Sequence, residues 1–231
     1  MHKTIGILGG LSPESTITYY EYITRTYYER FRNHGYPETV IYSVTFQEFV
    51  DWQKEGLWDK AVDRMVEAIV RLHRAGADFG VIAANTMHIV FDEVQQRSPI
   101  PLINIIDATA ESIKKENFDT VGLLGTIFTV GGSFYKNALR RHGIRTIVPG
   151  VDDQRYVNRV IYEELVQGKT LLKSKKGFIR IVKSLEHEGA QGVVLGCTEI
   201  PLLLRQEDCA VKLFDTAKIH AEKALNYAIS E

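Results

Sequence analysis

Two pairs of segments in this chain repeat one another, and that repetition constrains the fold more than any other feature. "KTIGILGG" (3–10) matches "DTVGLLGT" (119–126), each an apolar strand pattern running into glycine. "RAGADFGVIAANTMH" (74–88) matches "HEGAQGVVLGCTEI" (187–200), with a Gly-Ala helix stop, an apolar strand and a polar loop carrying Thr. Agreement at both places favours duplication over chance likeness among βα units. Each half then supplies one early and one late strand end. In parallel sheets, sites lie outside the carboxyl ends of the strands. Four such loops facing one another would make a cleft between two domains.

The rest of the chain fits that expectation. Short β-branched or aliphatic runs alternate with longer amphipathic segments, the pattern of βα units around a parallel sheet. Strands are expected at 4–8, 39–44, 79–84, 102–105, 120–124, 145–148, 192–195 and 211–214. Most are continuous apolar runs, as in strands covered on both faces. Helices are expected at 13–32, 58–75, 108–115, 131–142, 154–167, 175–188 and 216–229. Ser12 before Pro13 has the form of an N-cap followed by proline at the first helical position. Tyr19, Tyr20, Tyr22, Tyr27 and Tyr28 recur at helical spacing, which core and partner packing explain.

Composition excludes several partners. Hydrophobic residues are 45% and charged residues 25% of the 231, with a net charge of −1. That is an ordinary globular balance without a basic footprint for nucleic acid or an anionic membrane. No apolar run approaches the roughly 18 residues needed to span a bilayer. The opening MHKTIGILGG runs into a strand pattern instead of a signal-peptide core. Cys197 and Cys209 make neither a disulfide framework nor a metal quartet. A cytoplasmic, enzyme-like protein is expected, with no metal.

Candidate chemistry gathers at the repeated strand ends. Cys197, in "LGCTEI", is either an inert small hydrophobe or a reactive thiol whose ionised form is favoured by amides of the following helix. Glu199 could orient a ligand ammonium, act as a base, or simply sit in a first helical turn. The loop "GILGGLSPEST", with Gly10 and Ser12, lacks the spacing of either nucleotide-binding glycine motif. Its glycines allow a tight turn and could also let amides approach a ligand carboxylate. Asn85, Thr86, Thr126 and Thr198 could together donate hydrogen bonds to one carboxylate, although each alone reads equally well as a helix cap. His88 is expected to cap or pack beside its loop. Cys209 reads as structural.

"IGILGGLSPEST", "AANTMH", "LLGT" and "GCTEI", in this order and spacing, resemble the aspartate/glutamate racemase family over essentially the whole chain, through the terminal "FDTAKIHAEKA". The resemblance implies two similar α/β domains, each a mostly parallel sheet flanked by helices. They would be related by a pseudo-twofold axis, with the site in the cleft between them. The first domain would comprise 1–107 plus 210–231, where the last helix returns, and the second 108–209. It implies an amino-acid substrate, no cofactor and a homodimer.

It further implies one thiol on each face of the substrate α-carbon, with Gly10, Ser12, Asn85, Thr86, Thr126, Thr198 and Glu199 around the substrate. Cys197 matches the second family cysteine. Ala84 stands where the first is expected, so the ordinary two-thiol mechanism lacks one partner. "TFQEFVDWQ", read as a loop, offers Gln47 and Glu48 where some aspartate racemases carry Arg. Val166 stands where a Lys is expected. Two alternatives accompany the racemase reading. One is a one-cysteine decarboxylase or lyase, as in the related arylmalonate decarboxylases; the other is an amino-acid-binding relative with little turnover.

Overall fold

The alternating apolar and amphipathic segments become two four-stranded sheets, all of whose pairings are parallel. A computed structural model describes residues 2–230. By its internal contacts the chain divides into two units: Ile106–Ile219 forms the second, and the rest forms the first.

In the first unit the chain runs β1 (Ile5–Gly9), α1 (Pro13–Phe31), β2 (Thr39–Ser43), α2 (Phe46–Glu55), α3 (Trp58–Arg74), β3 (Phe79–Ile82), α4 (Phe91–Arg97) and β4 (Leu102–Ile103). The strand order is β2-β1-β3-β4. The central strands β1 and β3 are buried at every position, while β2 and β4 are only partly covered. That is why the central runs are continuously apolar. Helix α3 turns Ala61, Val62, Met65, Ala68, Ile69 and Leu72 inward, a spacing that keeps them on one face. Full burial of a side chain such as Ile69 or Leu72 stabilises by roughly 1.5–3 kcal/mol.

The second unit follows the same plan. Helix α5 (Ile105–Lys115) leads into β5 (Thr120–Gly125), α6 (Ile127–Gly131), α7 (Ser133–Arg141), β6 (Arg145–Ile147), α8 (Val151–Glu163), α9 (Leu172–His187), β7 (Gly192–Gly196), α10 (Ile200–Leu203) and β8 (Lys212–Asp215). The order is β6-β5-β7-β8. The chain passes back into the first unit within α11 (Thr216–Ile229).

All eight expected strands are present. Helices α4 and α10 were not expected, and three further details differ. "TFQEFVDWQ" is helix α2, not a loop: Phe49 and Gln53, one turn apart, are its buried face. The single helix expected at 131–142 is broken at Gly132, where ψ is 154° between α6 and α7. Two consecutive glycines lower helix propensity there. The expected division at 209/210 falls ahead of β8, but β8 pairs with β7 from Gly192↔Lys212 to Leu195↔Asp215, so the second unit extends to Ile219.

The turn after β1 depends on one glycine. Gly10 has φ +81°, and a Cβ there would lie 2.3 Å from the Val44 carbonyl oxygen. Gly56 has a similar φ of +71° but open space around it. A left-handed alanine costs about 1–2 kcal/mol by itself. Gly10→Ala should therefore lower stability in urea clearly more than Gly56→Ala; equal losses would show that Val44 yields to the new methyl group.

Candidate active site

The pairing registers bring the repeated motifs to equivalent places in the two sheets. In the first unit Leu8 pairs with Ile82, so Gly9-Gly10 and Ala83-Ala84 leave adjacent strands side by side. In the second, Leu124 pairs with Leu195 and Gly125 with Gly196, so Thr126 and Cys197 leave side by side. Gly10 is thereby equivalent to Thr126, and Ala84 to Cys197. Continuing along the chain, Asn85 corresponds to Thr198 and Thr86 to Glu199.

Short hydrogen bonds fix the first unit's strand ends. The Ala83 N–H donates to the Leu8 carbonyl (2.9 Å) and the Val44 N–H to the Gly9 carbonyl (3.0 Å). The Gly10 N–H donates to Thr16 Oγ1 (2.8 Å), so this amide is committed within the turn. Ser12 is the N-cap of α1, receiving the Ser15 N–H at 3.4 Å. The Ser15 hydroxyl lies 2.9 Å from the Ala83 carbonyl, linking the start of α1 to the exit of β3. Ala83 and Ala84 are buried; Asn85 is 3% exposed, and Thr86 opens a 3-10 turn (Thr86–Val90).

His88 holds that exit from behind. Its Nδ1 lies 2.8 Å from the Ala84 carbonyl, which only accepts, and its Nε2 receives the Ile105 N–H at 3.2 Å. Both contacts require the neutral Nδ1–H tautomer. The second buried imidazole, His220, donates from Nε2 to the Ile103 carbonyl (2.8 Å) and faces the Tyr19 hydroxyl at Nδ1 (2.7 Å). Burial pulls His88 down to about 3, with His220 adding to the shift, and burial pulls His220 down to about 4. Both rings are neutral struts.

In the second unit, Thr126 is the N-cap of α6, receiving the Thr129 N–H at 3.3 Å. The Ile127 N–H is held by Asn158 Oδ1 at 2.9 Å. Beyond β7, the Cys197 thiol and the Thr198 hydroxyl both donate to Glu199 Oε2, at 2.9 and 3.0 Å. All three residues are buried. Burial raises the Cys197 thiol well above its ordinary value, and the Glu199 charge and the thiol–carboxylate bond raise it further. Of the two readings left open for Cys197, its surroundings favour the un-ionised thiol: a backbone contact at Glu199 does favour the thiolate, but it is the weakest influence. Cys197 rests as a thiol poised to donate.

The sequence offered no sign of the Cys197–Glu199 bond, which depends on side-chain rotamers two residues apart. It also passed over Tyr162, whose phenol is pushed up to about 12 by burial and then by the nearby Cys197 and Glu199. Gln47 and Glu48 lie on α2, where Gln47 donates to Asp51 Oδ1 (2.8 Å) and Glu48 approaches Arg64 at 4.0 Å. Cys209 packs half-buried beside the second unit's core. Among the described residues no helix is long and apolar enough to cross a membrane.

The sequence pattern of the Asp/Glu/hydantoin racemases matches residues 8–224. The chain belongs to that family. Among curated relatives, the broad specificity amino-acid racemase RacX of Bacillus subtilis is 22% identical over 96% of both chains. An aspartate racemase homologue from Pyrococcus horikoshii OT3 is 42% identical, with a TM-score of 0.87 and all of both chains covered. The aspartate racemase of Picrophilus torridus, at 24% identity, has a TM-score of 0.78 over 98% of this chain and 94% of its own. At that identity the likeness concerns the fold alone. Membership of the racemase family accords with the two four-stranded α/β units and the paired strand ends.

Two outcomes follow from these environments. With Cys209 replaced by Ser, the alkylation rate of Cys197 should rise with pH only well above the ordinary thiol range. Glu199→Gln should move that rise to lower pH, yet leave it elevated because burial remains; an unmoved profile would show that the carboxylate does not act on the thiol. For the imidazoles, folded values below the ordinary 6.5 mean that the unfolded chain binds more protons between the two. Their contribution to stability is thus fully present above about pH 6.5 and is lost as pH falls toward 4 and then 3, at about 1.4 kcal/mol per pH unit for each ring. Urea unfolding against pH should show this slope, halved in His88→Asn.

Proposed function

We propose that this chain is an amino-acid racemase acting on aspartate, glutamate or a related amino acid without pyridoxal phosphate, with Cys197 handling the α-proton on one face. The observation that carries the reading is the buried Cys197 thiol donating to Glu199. A thiol held protonated beside a carboxylate suits the proton-return half of racemisation. The thiol gives its proton to the carbanion, and the thiolate left behind is reprotonated through Glu199 from solvent. In the opposite direction Glu199 takes the thiol proton, and the thiolate removes the one on Cα.

The α-proton of a zwitterionic amino acid is very weakly acidic, so donors aimed at the developing negative charge must supply much of the rate. Asn85, Thr86, Thr126 and Thr198 are assigned to that task, with Gly10 and Ser12 shaping the first unit's contribution. Ala84 takes the position of the family's first thiol. On its face, water or the Thr86 hydroxyl serves as proton donor. A hydroxyl is a poor base near neutral pH, because its pKa far exceeds that of a thiol.

The single thiol also favours a second reading, a one-cysteine decarboxylase. Cα deuterium exchange separates the two. The enantiomer whose α-proton faces Cys197 should exchange with retention faster than it racemises. Cys197→Ala should reduce exchange by about 10²–10⁴-fold, the usual worth of a positioned acid–base group, and Ala84→Cys should raise racemisation. No exchange with any amino acid, together with CO₂ release from malonate derivatives, would replace the racemase reading by the second.

A further inference from the structure

In the second unit, a cavity of about 350 Å³ lies at the amino end of β6, the opposite edge of that sheet from Cys197. It is lined by Lys136 and Arg140 of α7, by Gly143 and Ile144 of the turn, and by Arg145 and Thr146 of β6. Small-molecule sites begin at about this size. No carboxylate lines it. Lys136 and Arg140, four residues apart, share one face of α7. Among the described residues, five arginines make no ion pair, and three of them, Arg140, Arg141 and Arg145, gather at this corner.

The protein's own negative groups do not answer this charge. Arg145 Nε donates to Thr120 Oγ1 at 3.4 Å, and that hydroxyl donates to Asp119 Oδ1 at 3.0 Å, so Asp119 is held one hydroxyl away from the guanidinium. Asp107 Oδ1 faces His142 Nε2 at 2.8 Å. Cations gain from the negative end of a helix only within its last turn, which accounts for Arg140 and Arg141. It does not account for Lys136, a turn earlier, or for Arg145, on a strand. The last carbonyls of α7 are themselves taken up, Leu139 by the His142 and Ile144 amides and Arg140 by the Gly143 amide.

Thr146 supplies a second, independent observation. Its Oγ1 is buried without a hydrogen-bond partner. Buried hydroxyls are nearly always paired. Turning this one about χ1 toward the cavity breaks no bond and gives the cavity a neutral donor beside its cations. Guanidinium forks match phosphate oxygens in pairs, and a lysine adds a point charge. Three cations and a hydroxyl around one small cavity suit a phosphate group, which carries close to two negative charges near neutral pH. A nucleic acid instead calls for a basic stripe or patch along a face. Here the cations surround a single cavity on a chain of net charge −1.

We propose that this cavity binds a phosphate-bearing small molecule, gripped by Lys136, Arg140 and Arg145 with Thr146 as a further donor. The site stands whether or not the chain is a racemase. Calorimetric titration of the full chain with pyrophosphate and with ADP, in metal-free buffer of low ionic strength, tests it, and circular dichroism checks that each variant is folded. Both probes should bind at one site per chain. Arg140→Gln and Arg145→Gln should each raise Kd about tenfold or more. Arg74→Gln, which removes an exposed arginine of the first unit that makes no ion pair, should leave Kd unchanged. Thr146→Val should match the wild type in urea without ligand, because it gives up no hydrogen bond, yet bind pyrophosphate several-fold more weakly. Tighter binding of ADP would assign the site to a phosphorylated metabolite, and equal binding to inorganic phosphates; either upholds it. No binding of either probe at millimolar concentration would overturn the proposal. So would an affinity indifferent to Arg140→Gln and Arg145→Gln, one lost equally in Arg74→Gln, or one undiminished in Thr146→Val. Binding of a DNA duplex by a chain that ignores both probes would overturn it in favour of nucleic acid.

Discussion

Parallel pairing of the central strands is the constraint on which the rest of the structure depends. Leu8↔Ile82 in one sheet and Leu124↔Leu195 in the other set where each strand stops. Neighbouring parallel strands lie about 4.8 Å apart, so residues leaving them together share one edge of the sheet. Slipping either register by one residue would turn every side chain of that strand to the opposite face. Burial at every position of β1, β3, β5 and β7 resists such a slip. The chemistry at the strand ends is thus placed by apolar residues that take no part in it.

Within the second unit, opposing influences act on Cys197, and their relative size decides its state. A backbone contact at Glu199 favours the thiolate, while burial and the Glu199 carboxylate oppose it. Position in the topology alone suggests the former; the surroundings reverse it. A thiol at a strand's carboxyl end is therefore not activated by that placement unless it also remains exposed or gains a positive neighbour. Here the neighbour is negative. Ionisation of the thiol must accompany movement of its proton, and Glu199 Oε2 is the acceptor it already faces.

The strands were legible because continuous apolar runs between glycine stops have few other uses, and the duplication was legible because it recurs at two motifs. Helix α2 is not evident in the sequence because Phe46, Phe49, Val50 and Gln53 mark only about two turns of periodicity, and family likeness points to a loop instead. The late end of the second unit was misplaced because β8 is a short, half-exposed edge strand with a weak apolar signal. At the candidate site, residue identities were legible and their engagements were not. The Gly10 amide was free to serve a ligand on paper, but Thr16 takes it. His88 was correctly read as packing beside its loop, yet only the geometry reveals that it braces Ala84 and Ile105 together.

That brace bears on the meaning of Ala84. The bond from His88 is made to the Ala84 carbonyl, and the Ser15 bond to the Ala83 carbonyl, so the backbone here is held without reference to either side chain. A thiol at position 84 would enter a strand end already shaped to receive it, as deeply buried as Cys197: Ala84 is 6% exposed and Cys197 7%. Its electrostatics would nonetheless differ. The residue equivalent to Glu199 is Thr86, so the carboxylate that raises Cys197 has no counterpart there. The two units thus share a backbone plan while offering unequal proton chemistry, and the asymmetry lies in Thr86 and Glu199 as much as in Ala84 and Cys197.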